Sequence, residues 1–229
     1  RAESGFEHKH LIAQNIANKS KVIENPSPHV SIFNFHYAKP PEAVAQNTHW
    51  DRAIGDDETG FAGDDRVKPY RLEGWDFIVA GGALYNNLDY SYSIGHEDGT
   101  TDINAPGGGG PELWQALGAL NDFINSFDFV AMKPDNSVIT GGVPEKATAR
   151  ALVEPGRAYA YFINGNNVKE LSVDLPAGPY NAEWIDTKTG DIVKADSFTH
   201  EGGPKTLGTP TYTDDIALRI QRAERKRRG

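Results

Sequence analysis

Hydrophobic and polar positions follow two different patterns along the chain, and the first pattern gives way to the second near residue 143. Before it, apolar strand-like runs alternate with stretches of helical spacing, a pattern typical of parallel strands joined by helices. The strand-like runs are 10–16, 29–37, 52–59 and 83–92, and the helical stretches are 41–46, 70–81 and 113–127. The last stretch carries apolar side chains three and four residues apart, which predicts an amphipathic helix.

Residues 144–221 have the other pattern, short strand-like runs separated by turn signals. Pro155–Gly156 and Asn164–Gly165 are examples of these signals. Regular short strands with such turns predict a small antiparallel β-sandwich. The sequence therefore predicts an α/β unit over 1–143, an all-β unit over 144–221 and a basic tail over 222–229.

Composition narrows the possible functions of this 229-residue chain. Its formal net charge of −9 argues against a general nucleic-acid binder, which needs basic surface to release counterions. No run of about 18 apolar residues exists, so no membrane span is expected. The absence of cysteine excludes disulfides, thiolate nucleophiles and cysteine-ligated zinc.

Polar side chains stand at the end of each predicted parallel strand, where ligands bind in folds of this kind. They are Asn15, Asn34, His36, Tyr37, Asp56, Asp57, Glu58, Asn86, Asn87, Asp89 and Tyr90. The alternative is that they are only solvated loop starts, because loops are polar anyway. His96 and Glu97 follow the last strand and either line a site or form a surface turn.

Asp56, Asp57 and Glu58 are three consecutive carboxylates, and they are the most closely grouped candidate site residues in the sequence. They repel one another, which raises the proton affinity of at least one of them where they are partly buried. Strict strand alternation puts Asp56 and Glu58 on one face and Asp57 on the other. A carboxylate there can serve as nucleophile, general base or metal ligand, and the spacing leaves these roles open.

Several segments taken together resemble the second half of a (β/α)₈ glycoside hydrolase of the retaining, cellulase-like superfamily (clan A). They read HLIAQNIAN, VSIFNFHYAKPPEAV, IGDDETGF, EGWDFIVAGGALYNNLDYS and GHEDGT. Residues 175–220 are similar to a small β-sandwich that ends some uncharacterised bacterial members, and to which collagen binding has been ascribed. The fold implied is the second half of a TIM barrel followed by an antiparallel sandwich.

The resemblance also implies roles for individual residues. Glu58 matches the nucleophile that ends the seventh barrel strand, and His36 and Tyr37 match residues that border it from the sixth. The expected substrate-binding residues are Asn15, Asn34, Asp57, Asn87, Asp89, Tyr90, His96 and Glu97. The expected partner is a carbohydrate, and neither a cofactor nor a metal is implied.

The chain departs from the family pattern at the acid/base residue. That glutamate usually stands in an Asn-Glu pair at the end of strand four, and this chain contains no Asn-Glu dipeptide. About 140 residues stand where a complete barrel takes about 250. We therefore expect an N-terminally truncated enzyme that is close to inactive alone. Its open barrel face would be covered by the missing half or by self-association.

The resemblance favours an extracellular or periplasmic location, although residues 1–9 lack the apolar core of a signal peptide. Two other classes of function stay open. One is a non-catalytic carbohydrate- or matrix-binding protein with a degenerate barrel, for which Trp184 would matter, although an aromatic in so apolar a run is more often core. The other is a metal-dependent hydrolase built on His36, Asp56, Asp57 and His96. Among the aromatics, Trp50 and Tyr90 are candidates for sugar stacking, and Trp75 is expected to pack within a helix layer.

Overall fold

A parallel sheet of four strands occupies the first part of the computed structural model, which describes residues 10–63, 65–101, 107–166 and 168–223. The strand order is β1-β2-β3-β4, so neighbours in sequence are neighbours in space. The strands are β1 (Ala13–Asn18), β2 (Ile32–His36), β3 (Ala53–Glu58) and β4 (Leu84–Tyr85). Because all four run the same way, their carboxyl ends meet at one edge of the sheet.

Three α-helices accompany this sheet: α1 (Glu42–Asn47), α2 (Lys68–Val79) and α3 (Pro111–Asn125). The first two connect β2 to β3 and β3 to β4, which is the crossover that parallel neighbours require. One face of the sheet is buried against them through an apolar cluster that includes Phe33, Phe35, Ile54 and Phe77. The predicted helices and the first three predicted strands are present, with ends shifted by a few residues.

The predicted strand over 83–92 is much shorter than expected. Only Leu84 and Tyr85 form a strand with β3. Beyond them two single backbone bonds keep the chain beside the end of β3, from the Asn86 amide to the Asp56 carbonyl at 2.9 Å and from the Leu88 amide to the Thr59 carbonyl at 2.8 Å. Asn86 and Asn87, which favour turns, stand where the strand ends.

In the described part of the chain, nine antiparallel strands make up two further sheets. The larger has the order β11-β10-β13-β8-β7-β5 and the smaller the order β12-β9-β6. The strands are β5 (Lys133–Pro134), β6 (Ile139–Gly141), β7 (Thr148–Glu154), β8 (Ala158–Asn164), β9 (Glu170–Leu175), β10 (Gly178–Ile185), β11 (Ile192–His200), β12 (Gly203–Gly208) and β13 (Asp215–Arg222). The two sheets share one apolar core, in which Trp184 is fully buried. That burial confirms the prediction that Trp184 is a core residue.

The sequence pattern predicts that the antiparallel strands begin at residue 144, but in the structure they begin earlier. β5 pairs with β7, and β6 pairs with β9, so residues 133–141 already belong to these sheets. Both strands are too short to show an alternating pattern in the sequence. The basic tail lies almost entirely outside the described residues, since 224–229 are not among them.

Helices α2 and α3 lie between the parallel sheet and the six-stranded antiparallel sheet. Trp75 of α2 is fully buried there, with its ring 5.0 Å from that of Phe123 on α3 and 5.7 Å from that of Phe162 on β8. Arg71 of α2 also pairs with Asp215 at the start of β13, at 2.6 Å. The structure thus confirms the packing role predicted for Trp75. None of the helices among the described residues is both long and apolar enough to span a membrane.

Candidate functional site

The carboxyl ends of β2 and β3 bring Tyr37 and Glu58 into direct contact. The Tyr37 hydroxyl donates a hydrogen bond to Glu58 Oε1 at 2.7 Å. This bond is the main reason that the pKa of the Tyr37 phenol rises to about 12, because removing its proton would place two negative charges side by side. The Glu58 side chain remains about one-third exposed, so the carboxylate faces open space beyond the sheet.

His36 lies between the two carboxylates that end β3. Its Nδ1 is 3.8 Å from Glu58 Oε2, and its Nε2 is 3.2 Å from Asp57 Oδ1. When the imidazole is protonated, it neutralises part of the charge of both groups. Asp57 is held from its other side by Asn34, whose Nδ2 donates to Asp57 Oδ2 at 3.0 Å.

A β-bulge at the end of β3 decides which carboxylates meet. The register with β2 runs from Phe35–Asp56 directly to His36–Glu58, so Asp57 has no residue opposite it. An extra residue of this kind breaks the strict alternation of side chains. Asp57 and Glu58 consequently both reach His36, whereas Asp56 is buried elsewhere. The predicted pairing of Asp56 with Glu58 on one face is therefore wrong.

Gly55 opens the space in which Asn34 lies. These two residues are directly opposite in the β2–β3 register. A Cβ atom at Gly55 would come within 2.6 Å of Asn34 Oδ1, closer than real Cβ contacts allow. Glycine is therefore needed here for the Asn34 side chain to reach Asp57.

Asp56 and Glu73 form a buried pair of carboxyl groups behind this site. Burial and the nearby Glu73 raise the pKa of Asp56 to about 7, and burial also raises the pKa of Glu73. Glu73 Oε2 accepts hydrogen bonds from the Thr59 hydroxyl at 2.9 Å and from the Tyr85 hydroxyl at 3.4 Å. The repulsion predicted among adjacent carboxylates thus involves a partner on α2 that the sequence did not indicate.

Asn15 and Tyr90 also lie beside this group. Asn15 is exposed on β1 opposite Asn34, and it lines a cleft of about 170 Å³ together with His36. Tyr90 is 45% exposed, and its charge when ionised contributes to the raised pKa of Tyr37. The structure therefore gathers eight predicted residues at one edge: Asn15, Asn34, His36, Tyr37, Asp56, Asp57, Glu58 and Tyr90.

The other predicted binding residues have partners elsewhere in the protein. Asn87 is buried and donates to the Gly108 carbonyl at 3.3 Å. Asp89 Oδ1 accepts from the Ser91 amide, and its Oδ2 accepts from Trp114 Nε1, each at 2.8 Å. His96 Nδ1 lies 3.2 Å from the Thr100 hydroxyl, and the Glu97 carboxylate accepts from the Gly95 amide. These last contacts belong to an exposed turn.

Two further residues lie at the site: Asn86 was among the predicted polar strand-end residues, and Phe61 was not predicted. The Asn86 side chain donates to the Asp57 carbonyl at 3.3 Å. The ring of Phe61 lies 6.3 Å from that of Tyr37 and is 74% exposed. An aromatic three residues after a strand-end carboxylate is a weak signal that sequence patterns could have used.

Among the described residues, no group of three or more histidines and carboxylates is placed to hold a metal ion. His36, Asp56, Asp57 and His96, which the metal-hydrolase hypothesis combines, are not gathered around one point. Asp56 faces Ala38 and Glu73, and His96 stays in its turn. Trp50 is not a stacking candidate either, because it precedes β3 and lies at the amino end of the sheet, where its Nε1 donates to the Ile23 carbonyl.

Comparison with known proteins gives a likeness only among solved structures. No known protein family and no curated protein matches the sequence. A structure described as a glycoside hydrolase aligns with a TM-score of 0.54 and 17% identity, over 86% of this chain and 54% of its own. A family 5 glycoside hydrolase from Bacteroides vulgatus aligns with a TM-score of 0.52 and 14% identity, over 85% and 56%.

The likeness is one of fold. At such low identity, the alignments show a similar fold and do not by themselves show a shared activity. The chain spans about half the length of the structures that it matches.

Proposed function

We propose that this chain carries the nucleophile of a retaining glycoside hydrolase, and that Glu58 is that nucleophile. The observation that carries the proposal is the 2.7 Å hydrogen bond from Tyr37 to Glu58 at the ends of adjacent parallel strands. Parallel sheets with helical crossovers bind ligands at this edge. The second half of a (β/α)₈ barrel, followed by a β-sandwich from about residue 133, accounts for the order of the sheets.

The site suits a double displacement. Glu58 attacks the anomeric carbon as the glycosidic C–O bond breaks, and a covalent glycosyl ester forms while the leaving oxygen takes a proton. Water then attacks the same carbon, gives up a proton and releases the Glu58 carboxylate. The hydrogen bond from the Tyr37 hydroxyl fixes the direction of the Glu58 carboxylate, and His36 lies beside it. Asn15, Asn34, Asp57 and Tyr90 are proposed to contact the sugar hydroxyls or ring.

The acid/base carboxyl is proposed to lie on strands outside this chain's parallel sheet. Retaining enzymes need a second carboxyl about 5 to 5.5 Å from the nucleophile. The Asp57 carboxylate is held by His36 at 3.2 Å and by Asn34 at 3.0 Å, on the same side of the site as the nucleophile. Four further strands, from a longer polypeptide or a second copy, would complete the barrel and supply this group. A location outside the cytoplasm remains a prediction.

Activated glycosides test the role of Glu58 without the missing acid. A 2,4-dinitrophenyl leaving group departs without protonation, so only the nucleophile is needed for the first step. We expect the purified chain to release a stoichiometric burst of dinitrophenolate from at least one glycoside in a panel of pyranosides. Added azide should turn the burst into turnover and yield a glycosyl azide of retained configuration. Unactivated aryl glycosides and polysaccharides should give little or no hydrolysis.

Two variants make this experiment decisive. Glu58→Gln should abolish the burst, because the amide is not a nucleophile. Glu183→Gln is the matched control, since Glu183 lies on β10 and pairs with Arg219, and it should leave the burst unchanged. A burst that persists in Glu58→Gln, or no burst from any pyranoside, would contradict the proposal.

The binding-protein alternative has no comparable observation in its favour. Its main candidate, Trp184, is fully buried in the core between the antiparallel sheets and cannot present a face to a glycan.

A further inference from the structure

Tyr37 reaches Glu58 from a backbone conformation that tyrosine rarely adopts. Its φ is 56°, in the left-handed region that disfavours residues with a Cβ atom. Such a conformation persists only where the surrounding structure holds it in place. The direction of the Tyr37 side chain therefore depends on whatever fixes the turn at Tyr37 and Ala38.

Two hydrogen bonds from this turn run to β3. The Tyr37 amide donates to the Glu58 carbonyl at 2.8 Å, and the Ala38 amide donates to Asp56 Oδ2 at 3.2 Å. The first is a backbone bond that any sequence could make. The second needs the side chain of Asp56, which is fully buried beneath the turn.

We propose that Asp56 is a positioning residue, whose buried carboxyl holds the Tyr37–Ala38 turn so that the Tyr37 hydroxyl meets Glu58. Asp56 faces the protein interior, so its effect on the reaction passes through Tyr37. The catalytic meaning of this role rests on the proposed function, but the geometric claim can be measured without any substrate.

The surroundings of Asp56 explain why an acceptor is needed there more than a charge. Glu73 faces it from α2, Tyr85 from β4 and Asp57 from its own strand, while Lys39 acts on the neighbouring Glu73. Oδ1 of Asp56 has no hydrogen-bond partner among the described residues, and neither has Oε1 of Glu73. A neutral carboxyl oxygen accepts the hydrogen bond from the Ala38 backbone amide, and the side-chain oxygen of asparagine can accept the same bond. Asp56→Asn is therefore the conservative variant.

The test reads the ionisation of Tyr37 by ¹³C NMR of chains carrying labelled tyrosine, with Tyr37→Phe to assign the signal. The Glu58 contact raises the Tyr37 pKa to about 12 from an ordinary 10.0. In Asp56→Ala the turn loses its anchor, and we expect this pKa to fall towards 10. In Asp56→Asn the anchor stays, and we expect the pKa to remain well above that of Asp56→Ala.

A folded Asp56→Ala chain in which Tyr37 titrates as in the parent would overturn the proposal. If Asp56→Ala does not fold, Asp56→Thr fills more of the site, while its hydroxyl ends one bond short of the Ala38 amide. The same fall is expected in Asp56→Thr, and an unchanged titration there would also overturn the proposal.

The burst experiment separates this proposal from the assignment of Glu58. We expect the burst rate to drop about tenfold or more in Asp56→Ala and to recover in Asp56→Asn, since misplaced groups slow reactions by such factors. If the parent gives no burst but the titration behaves as expected, the positioning role stands and the glycosidase assignment fails. If the parent gives a burst and Asp56→Ala leaves both burst and titration unchanged, the positioning role fails alone.

Discussion

Asp57 has no residue opposite it in the register of β2 and β3, and this single extra residue arranges the carboxylates of the site. It lets Asp57 and Glu58 both approach His36, while Asp56 remains buried beneath the neighbouring turn. Three consecutive acids therefore have three different environments.

Asp56 should make the stability of the protein depend on pH. Its pKa is about 7 in the folded chain against 3.8 for an ordinary aspartate, so between these values the folded state holds more protons than the unfolded state. The stabilisation linked to this group is fully present below pH 3.8 and is lost as the pH rises through 7. Asp56→Asn should therefore gain stability relative to the parent between pH 5 and pH 8, on the order of 2 kcal/mol.

Urea unfolding at the two pH values measures this difference. Asp196→Asn is a suitable control, because Asp196 is exposed on β11, and its stability difference from the parent should be the same at both pH values. If the stability of Asp56→Asn relative to the parent does not rise between pH 5 and pH 8, the raised pKa of the buried Asp56 carboxyl is contradicted.

The position of the site could be predicted from residues, but its internal contacts could not. Polar residues at predicted strand ends do converge for Asn34, His36, Tyr37, Asp57 and Glu58, because apolar runs that alternate with helical stretches indicate parallel strands whose carboxyl ends share one edge. Asp89 followed the same rule and yet holds Ser91 and Trp114. That outcome depends on how a loop folds back onto α3, for which a local pattern carries no information. The bulge at the end of β3 could not be predicted either, because it depends on how β3 is aligned with β2.

At the scale of elements, α2 is unusual because both of its sides are covered. Phe77 packs towards the parallel sheet, and Trp75 packs towards α3 and β8. The helix is therefore largely buried, and its buried side chains include the charged Arg71 and Glu73 as well as apolar ones. Two short strands explain part of the remaining differences from expectation. β5 has two residues and β6 has three, which is too few to show the alternation on which sequence-based assignment depends, and they pair with the longer β7 and β9.

The ion pair between Arg71 on α2 and Asp215 on β13 should be a strong stability determinant. Both side chains are almost fully buried, with Arg71 Nη2 2.6 Å from Asp215 Oδ1. Arg71→Met would leave an uncompensated buried carboxylate, and such losses cost about 3–5 kcal/mol. Urea unfolding should show a drop of this size, and the double variant Arg71→Met/Asp215→Asn should recover part of it.

Lys68→Met provides the comparison for this pair. Lys68 lies on the same turn of α2 as Arg71 and contacts Asp214 at 2.6 Å, but the Lys68 side chain is about half exposed. Exposed pairs contribute about 0–1 kcal/mol, so little change is expected. A cost for Arg71→Met no larger than that for Lys68→Met would show that water reaches the buried pair.

At the scale of the whole molecule, β1 is an edge strand, because within the part of residues 10–223 that the structure describes it pairs only with β2. Leu11 is 73% exposed and Ile12 is 38% exposed next to it, and Val22 adds further apolar surface. Open edges of this kind promote pairing between chains. We expect the isolated chain to self-associate in a concentration-dependent manner, as sedimentation velocity can measure.

Ile12→Lys should reduce this association by placing a charge beside the edge. Ile94→Lys serves as control, because Ile94 is 99% exposed in the loop after β4 and far along the chain from β1. Equal association of the parent and both variants, or an Ile94→Lys chain that alone stays monomeric, would locate the contact away from β1.

The position of α2 and α3 between two sheets also bears on how such a protein can be recombined. An accessory module that is joined by a linker can be moved to another enzyme by cutting the linker. Here a cut near residue 143 would expose Phe162 and Ala217, which the two helices cover. It would also expose Trp75 and Phe123 on the helices themselves. The antiparallel sheets can therefore be transplanted only together with these two helices, and gene fusions should be joined upstream of α2.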